Sequence, residues 1–278
     1  MLADDTTLHT LGKDTDVLKK NLEASLKDVS DWCSSNHMVL NPSKSKSMVI
    51  TTRQKHQLSP LSINLSIDGN NIEQVRQHNL LGLIIDDKLS WKDHIENLCK
   101  FVSKNTFLLS KLQSIITFEA RKLYFNAHIK PHIDYASVIW DGCSDVIFKK
   151  LNSIHRRSAK LVLQEPLLTT EEKMKSLEML PLTDHLKYNK AIFMYKILNH
   201  EAPKYLRDLF KLSNFTYASS RQNLAYPCAQ PRVNIYTTSL SYSGVDIWNT
   251  LPPHVKSACN LKKFKQNVHR HLLNSGVS

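Results

Sequence analysis

The spacing of apolar residues changes once along this chain, near Trp91, and the change limits what each side can fold into. Before it, Leu61, Ile63, Leu65 and Ile67 alternate with Ser62, Asn64 and Ser66. That period of two marks a strand with one buried face. After it, Ile95, Leu98, Val102, Leu108, Leu109, Leu112 and Ile115 follow helical spacing. Strands are therefore expected only in the first third, with helices dominating the rest.

The first third also holds one long helix. Val17, Leu18, Leu22, Leu26, Val29 and Cys33 share a face over residues 14–36. Asn41-Pro42-Ser43 breaks the chain before a strand over 46–52. A polar loop over 53–60 ends at Pro60, and Asp68-Gly69-Asn70-Asn71 reads as a hairpin turn. Strands over 72–75 and 80–85 follow, the second ended by Asp86-Asp87. At the start, Asp4-Asp5 suits the turn of a short hairpin.

Beyond Trp91, helices are expected over 118–129, from Pro131 to Trp140, and over 146–163, a basic bundle of three or four helices. Residues 164–170 read as a linker and 182–199 as a helix, with Leu186, Ile192, Tyr195 and Ile197 as apolar positions. Residues 211–242 are rich in Ser, Thr, Asn and Tyr and read as irregular, with a strand pair or an ordered loop over 226–236. Short helices over 245–249 and 261–273 flank Pro252-Pro253. The fold class expected is α+β, mostly helical.

Charge follows the same division. Residues 1–90 hold 10 basic and 11 acidic side chains, residues 91–160 hold 12 and 6, and residues 161–278 hold 15 and 8. The whole excess of +12 lies beyond residue 90. It suits a polyanion such as nucleic acid, or equally a solvated basic surface. Six glycines in 278 residues argue against Gly-rich nucleotide cradles. The longest apolar run falls far short of a membrane span, so no membrane partner is expected. Cys33, Cys99, Cys143, Cys228 and Cys259 are odd in number and lack metal-ligand spacing. They fit a reduced, intracellular setting, nuclear or cytoplasmic, with no disulfide-linked partner.

Adjacent carboxylates at Asp4-Asp5 are hard oxygen ligands of the kind Mg²⁺ prefers. Taken alone such a pair is usually solvated, as is expected of Asp86-Asp87. Order along the chain adds information. Ala3-Asp4-Asp5 is followed by the long helix, by Asn41-Pro42-Ser43-Lys44-Ser45-Lys46 and a strand, by Leu80-Leu81-Gly82-Leu83, and by Lys88-Leu89-Ser90-Trp91-Lys92-Asp93-His94-Ile95. The chain here resembles the reverse transcriptase of non-LTR (LINE-type) retrotransposons, of the Jockey/CR1-like kind, starting inside the catalytic Y/F-A-D-D motif. The resemblance continues at Ile129-Lys130-Pro131-His132-Ile133-Asp134-Tyr135 and at His155-Arg156-Arg157-Ser158-Ala159-Lys160. It extends through Met194-Tyr195-Lys196-Ile197-Leu198-Asn199 to Trp248-Asn249-Thr250-Leu251-Pro252-Pro253.

The resemblance implies a partial polymerase palm over 1–88, comprising the remnant of an antiparallel sheet with a helix. It implies an all-helical thumb over 89–165 and a mainly helical C-terminal domain over 166–278. Asp4 and Asp5 would be the catalytic acids and ligands of Mg²⁺, and Lys44 or Lys46 would face the incoming nucleotide's phosphates. Gly82 would let a primer backbone approach. Lys149, Lys150, Arg156, Arg157 and Lys160 would track the phosphates of RNA or a DNA primer–template. Trp91, Trp140 and Trp248 could stack on bases, although core burial is the expectation for each. His155 has no acid partner in sequence and is not a catalytic candidate.

The family's polymerase also needs fingers and a third palm carboxylate, which in this numbering would precede Met1. The chain alone is therefore expected to be catalytically incomplete, a fragment of an RNA-directed DNA polymerase, with deoxynucleotides bound only by an intact enzyme. The alternative is a nucleic-acid-binding or interaction module without catalysis.

Overall fold

The computed structural model describes residues 6–52, 62–165, 167–210 and 234–275. The chain forms two compact units, one running to Trp91 and one starting at Lys92.

In the first unit, helix α1 (Thr15–Ser35) starts where the Asp14 carboxylate accepts the Val17 backbone N–H at 2.9 Å, satisfying an otherwise orphaned amide. It ends where His37 turns to φ 56° and the Met38 N–H returns to the Cys33 carbonyl at 2.8 Å. Leu18, Leu22 and Leu26 pack with Leu40 and Val49 on a core of Ile63, Leu65, Ile67 and Ile72. The alternation read in the sequence is the alternation of burial, because Ser62, Asn64 and Ser66 stay exposed.

Among the described residues six short strands follow: β1 (Lys46–Ser47), β2 (Ser66–Ile67), β3 (Asn70–Asn71), β4 (Glu73–Gln74), β5 (Gln77–Leu80) and β6 (Leu83–Asp86). They form three separate two-stranded ladders; β2–β3 and β5–β6 are antiparallel and β1–β4 is parallel. This corrects the expected single antiparallel remnant. The long connection from Ser47 to Glu73 allows a crossover, so the two strands can run the same way.

The strand expected over 80–85 is also divided. Leu81 and Gly82 both take positive φ, 49° and 81°, and Leu80 pairs with Leu83. Two such residues make the turn whose twist matches a hairpin. Asp68 and Gly69, at φ 49° and 76°, close β2–β3 in the same way, as their sequence predicts. The Asp86 carboxylate ends β6 by accepting the backbone N–H groups of Lys88 (3.0 Å), Ser90 (2.9 Å) and Trp91 (3.0 Å).

The described secondary-structure elements of the second unit are all helical. Helix α2 (Lys92–Leu112) is followed by α3 (Phe118–His128), α4 (Lys130–Asp134), α5 (Ser137–Trp140) and α6 (Asp145–Leu163). The stretch expected as one helix from Pro131 to Trp140 is two, because Ala136 takes φ 48° between them. The Trp140 indole N–H holds that break by donating to the Tyr135 carbonyl at 2.9 Å. Buried residues of α2 (Ile95, Leu98, Val102, Leu109) and of α6 (Leu151, Ala159, Val162) form the packed faces of this bundle. The two helices approach closely where the Thr106 and Ser158 hydroxyls meet at 2.8 Å.

Helix α7 (Thr170–Ser176) opens on a reciprocal cap. The Thr169 backbone N–H donates to Glu172 Oε2 at 2.6 Å and the Glu172 N–H donates back to Thr169 Oγ1 at 3.3 Å. Then come α8 (Leu182–Leu198), α9 (Lys204–Arg207), α10 (Asn234–Thr238), a π-helical turn (Leu240–Gly244), α11 (Val245–Thr250), α12 (Pro253–Lys256) and α13 (Leu261–Ser275). Met194, Trp248, Val255, Phe264 and Val268 form the core between α8 and α11 to α13.

Of the stretch expected to be irregular, residues 211–233 lie outside the described residues, as does most of 226–236. The remainder is helical. Gly244 lets Leu240 and Met194 pack against the backbone, since a Cβ there would stand 2.9 Å from Leu240 Cδ1 and 3.0 Å from Met194 Sδ. Trp91, Trp140 and Trp248 are all buried, as expected.

The chain is thus α+β and mostly helical, with a few short strands. Among the described residues no helix is long and apolar enough to cross a membrane, and Cys33, Cys99, Cys143 and Cys259 are free thiols.

Candidate nucleic-acid interface

Helix α6 has two faces of opposite character. Leu151, His155, Ser158, Ala159 and Val162 are buried, while Lys149, Lys150, Arg156, Arg157 and Lys160 are all exposed. At 100° per residue, positions 149, 156 and 160 fall on one line along the helix, and 150 and 157 lie roughly 80–100° round from it. The five cations thus cover one broad face of the rod, with a stripe of three along it. Among the described residues, no ion pair engages Lys149, Lys150, Arg157 or Lys160. Helix α13 adds exposed Lys262, Lys263, Lys265 and Arg270, and its sequence contains no acid.

The rod is held by a buried guanidinium. Arg121 of α3 is 8% exposed and donates from Nε to the Val162 carbonyl at 2.8 Å. Its Nη1 donates to the carbonyls of Gln113 (3.1 Å) and Ile116 (2.9 Å). These are carbonyls at and beyond the ends of α6 and α2, which helix geometry leaves without intrahelical partners. One side chain therefore finishes two helices.

Behind the stripe lies a polar cluster. Asp134, at the end of α4, accepts from His185 Nε2, from Lys130 Nζ at 2.5 Å and from Asn189 Nδ2 at 3.1 Å. Asn189 also donates to the Ser137 hydroxyl at 3.0 Å. Burial opposes ionisation of Asp134, but the hydrogen bonds and charges of His185 and Lys130 outweigh it and hold the carboxyl well below the usual carboxylate range. The His185 ring stacks at 6.5 Å on that of His155. His155 is 4% exposed, and its Nδ1 is buried without a hydrogen-bond partner among the described residues. Burial, and then repulsion from His185, push His155 down to about 3, so it stays neutral at physiological pH. His155, His185 and Tyr188 line a cavity of about 320 Å³.

The remaining sequence candidates are in the first unit. Asp4 and Asp5 lie outside the described residues. Lys44 is exposed in a turn where Asn41 Oδ1 accepts the Ser43 N–H at 3.1 Å. Lys46 is in β1, opposite Glu73 of β4, and its Nζ stands 2.5 Å from Glu73 Oε2. Gly82 is exposed at the β5–β6 turn, where its positive φ accounts for the glycine. Among the described residues no group of three or more His, Cys, Asp or Glu side chains is placed to hold a metal ion.

Sequence reasoning missed the Asp134–His185 cluster, because its members are 51 residues apart. The available signals were local: Lys130 and Asp134 are four apart on α4, and His185 and Asn189 are four apart on α8. Comparison of the chain with protein-family models, with curated proteins and with solved structures finds no match.

Proposed function

We propose that the chain is the C-terminal part of an RNA-directed DNA polymerase of the non-LTR retrotransposon kind, and that its second unit holds RNA or a DNA primer–template. The observation that carries this reading is the exposed cationic stripe on α6. Phosphates are spaced regularly, and a straight row of cations on a braced helix meets them without reorganising. The order of motifs supports assigning the palm to 1–88, the thumb to 89–165 and a C-terminal domain to 166–278. In that assignment Asp4 and Asp5 are the catalytic acids, and their oxygen donors have the chemistry that Mg²⁺ requires. Of the two candidate lysines, Lys44 is the better placed for a nucleotide phosphate, since Glu73 already pairs with Lys46.

A second reading, nucleic-acid binding without catalysis, is favoured by one observation: the stripe belongs wholly to the second unit and needs nothing from Asp4 or Asp5.

Fluorescence anisotropy with RNA and with a primer–template, over a range of salt, tests the shared claim. Affinity should fall steeply as salt rises. Changing Lys149, Arg157 and Lys160 together to alanine should reduce the log–log salt slope by about 0.9 for each duplex phosphate that is no longer neutralised. A flat salt response, or a slope unchanged in the triple variant, would overturn it. Primer extension that Asp4→Ala abolishes would select the polymerase reading over simple binding.

A further inference from the structure

We infer that the cavity behind α6 is a receptor for a single unpaired nucleobase. The inference deepens the nucleic-acid reading and rests on it for the source of the base. At about 320 Å³ the cavity is at the small end of ligand sites, which run from roughly 300 to 1,000 Å³. That is room for one heterocycle. It forms among α3, α4, α6, α8 and α13, all within the second unit.

Three features of its wall select the occupant. The first is aromatic. Phe125 meets His155 edge-on at 5.9 Å, His155 stacks on His185 at 6.5 Å, and Tyr188 stacks on His185 at 6.3 Å. Successive rings of this kind receive a flat π-face, as in single-strand binding proteins. The second is the His155 Nδ1, buried in a residue that lines the cavity and lacking a hydrogen-bond partner among the described residues. An unsatisfied buried polar atom is costly, and a ligand carrying one complementary group in its ring plane relieves it. The third is the mixed lining of Lys122, Asn126 and Glu178, which offers donors and acceptors together. Among the lining groups Lys122 and Lys130 favour an anion and Glu178 opposes one. A base edge carries both kinds of group and suits both.

The base can come from a free nucleoside or from an unpaired position in a bound strand, and the test separates these sources. Anisotropy compares a single-stranded oligonucleotide with a blunt duplex of equal phosphate count. NMR titration with the four nucleosides follows the histidine ring protons. The blocking variant is Asn126→Trp, at an exposed lining position. His155→Phe keeps the ring and removes its nitrogens.

The wild type should prefer the single strand by about tenfold, within the range of one stacked base. Both variants should remove that preference and leave the salt slope unchanged. Nucleoside-induced shifts that vanish in Asn126→Trp would support the same receptor, with the free nucleoside as a source. The inference is overturned if neither experiment gives a signal that Asn126→Trp removes. A steep salt slope without single-strand preference or nucleoside shifts would leave the α6 reading standing and sink this one. Nucleoside binding without any oligonucleotide binding would do the reverse.

Discussion

Two ion pairs of equal length show how differently the two units are held. Lys46 and Glu73 meet at 2.5 Å in the first unit, with their side chains 27% and 67% exposed. Lys190 and Asp141 meet at 2.5 Å in the second, 5% and 11% exposed. The first pair ornaments a ladder whose unit is held by leucines and isoleucines packed around Ile63, Leu65 and Ile67. The second is part of a buried polar framework. Lys190 also donates to the Ser243 hydroxyl at 2.6 Å, whose own hydroxyl donates to the Ser239 carbonyl at 2.8 Å. Burial raises the Asp141 carboxyl, and Lys190 works against that rise. Distance therefore says little about worth; the solvent around a pair decides it.

The sharpest way to break this comparison is to remove one buried partner. Lys190→Ala should cost the second unit about 3–5 kcal/mol in urea unfolding, because Asp141 is left buried and uncompensated. The double change Asp141→Leu with Lys190→Met should recover most of that loss. If the single change costs under about 1 kcal/mol, the two pairs are alike after all.

A pH titration gives the next effect. His155 falls to about 3 in the folded chain from its ordinary 6.5. The unfolded chain therefore binds the extra proton first, and stability declines as pH drops below 6.5. The loss is up to about 1.4 kcal/mol per pH unit, continuing until the folded value is reached. Thermal unfolding of the second unit between pH 7 and pH 5 should show this slope, and His155→Phe should flatten it. A slope that persists in the variant would assign it to another group.

The smallest effect should come from the exposed pair. Lys46→Ala is expected to cost below about 1 kcal/mol, and raised salt should shrink even that. Hydrogen exchange of the α1 amides would register it.

The difference between the units also explains what the sequence could reveal. Period-two burial at Ile63, Leu65 and Ile67 and the Leu18, Leu22 and Leu26 face of α1 are local patterns, so they read correctly, although Val17, placed on the same face, is exposed. So do the α6 cations, whose solvent-facing side follows from where Leu151, His155 and Val162 lie. The parallel β1–β4 pairing does not, since register between distant strands is not written in either strand. Nor does the division at Ala136, where a left-handed residue other than glycine is set by the Trp140 indole. The cavity was illegible for the same reason. His155 looked idle beside Arg156, and only tertiary packing sets its ring on His185.

The Arg121 clamp has a metric consequence. By finishing α2 and α6 with one guanidinium, it keeps the last turn of α6 from fraying, so the stripe from Lys149 to Lys160 has a fixed length. At 1.5 Å per residue that is about 16 Å. Phosphates along one strand of a duplex rise about 3.4 Å apiece. Under the proposed reading, the stripe matches about five nucleotides of one strand, and a shorter strand would leave part of its charge unpaired.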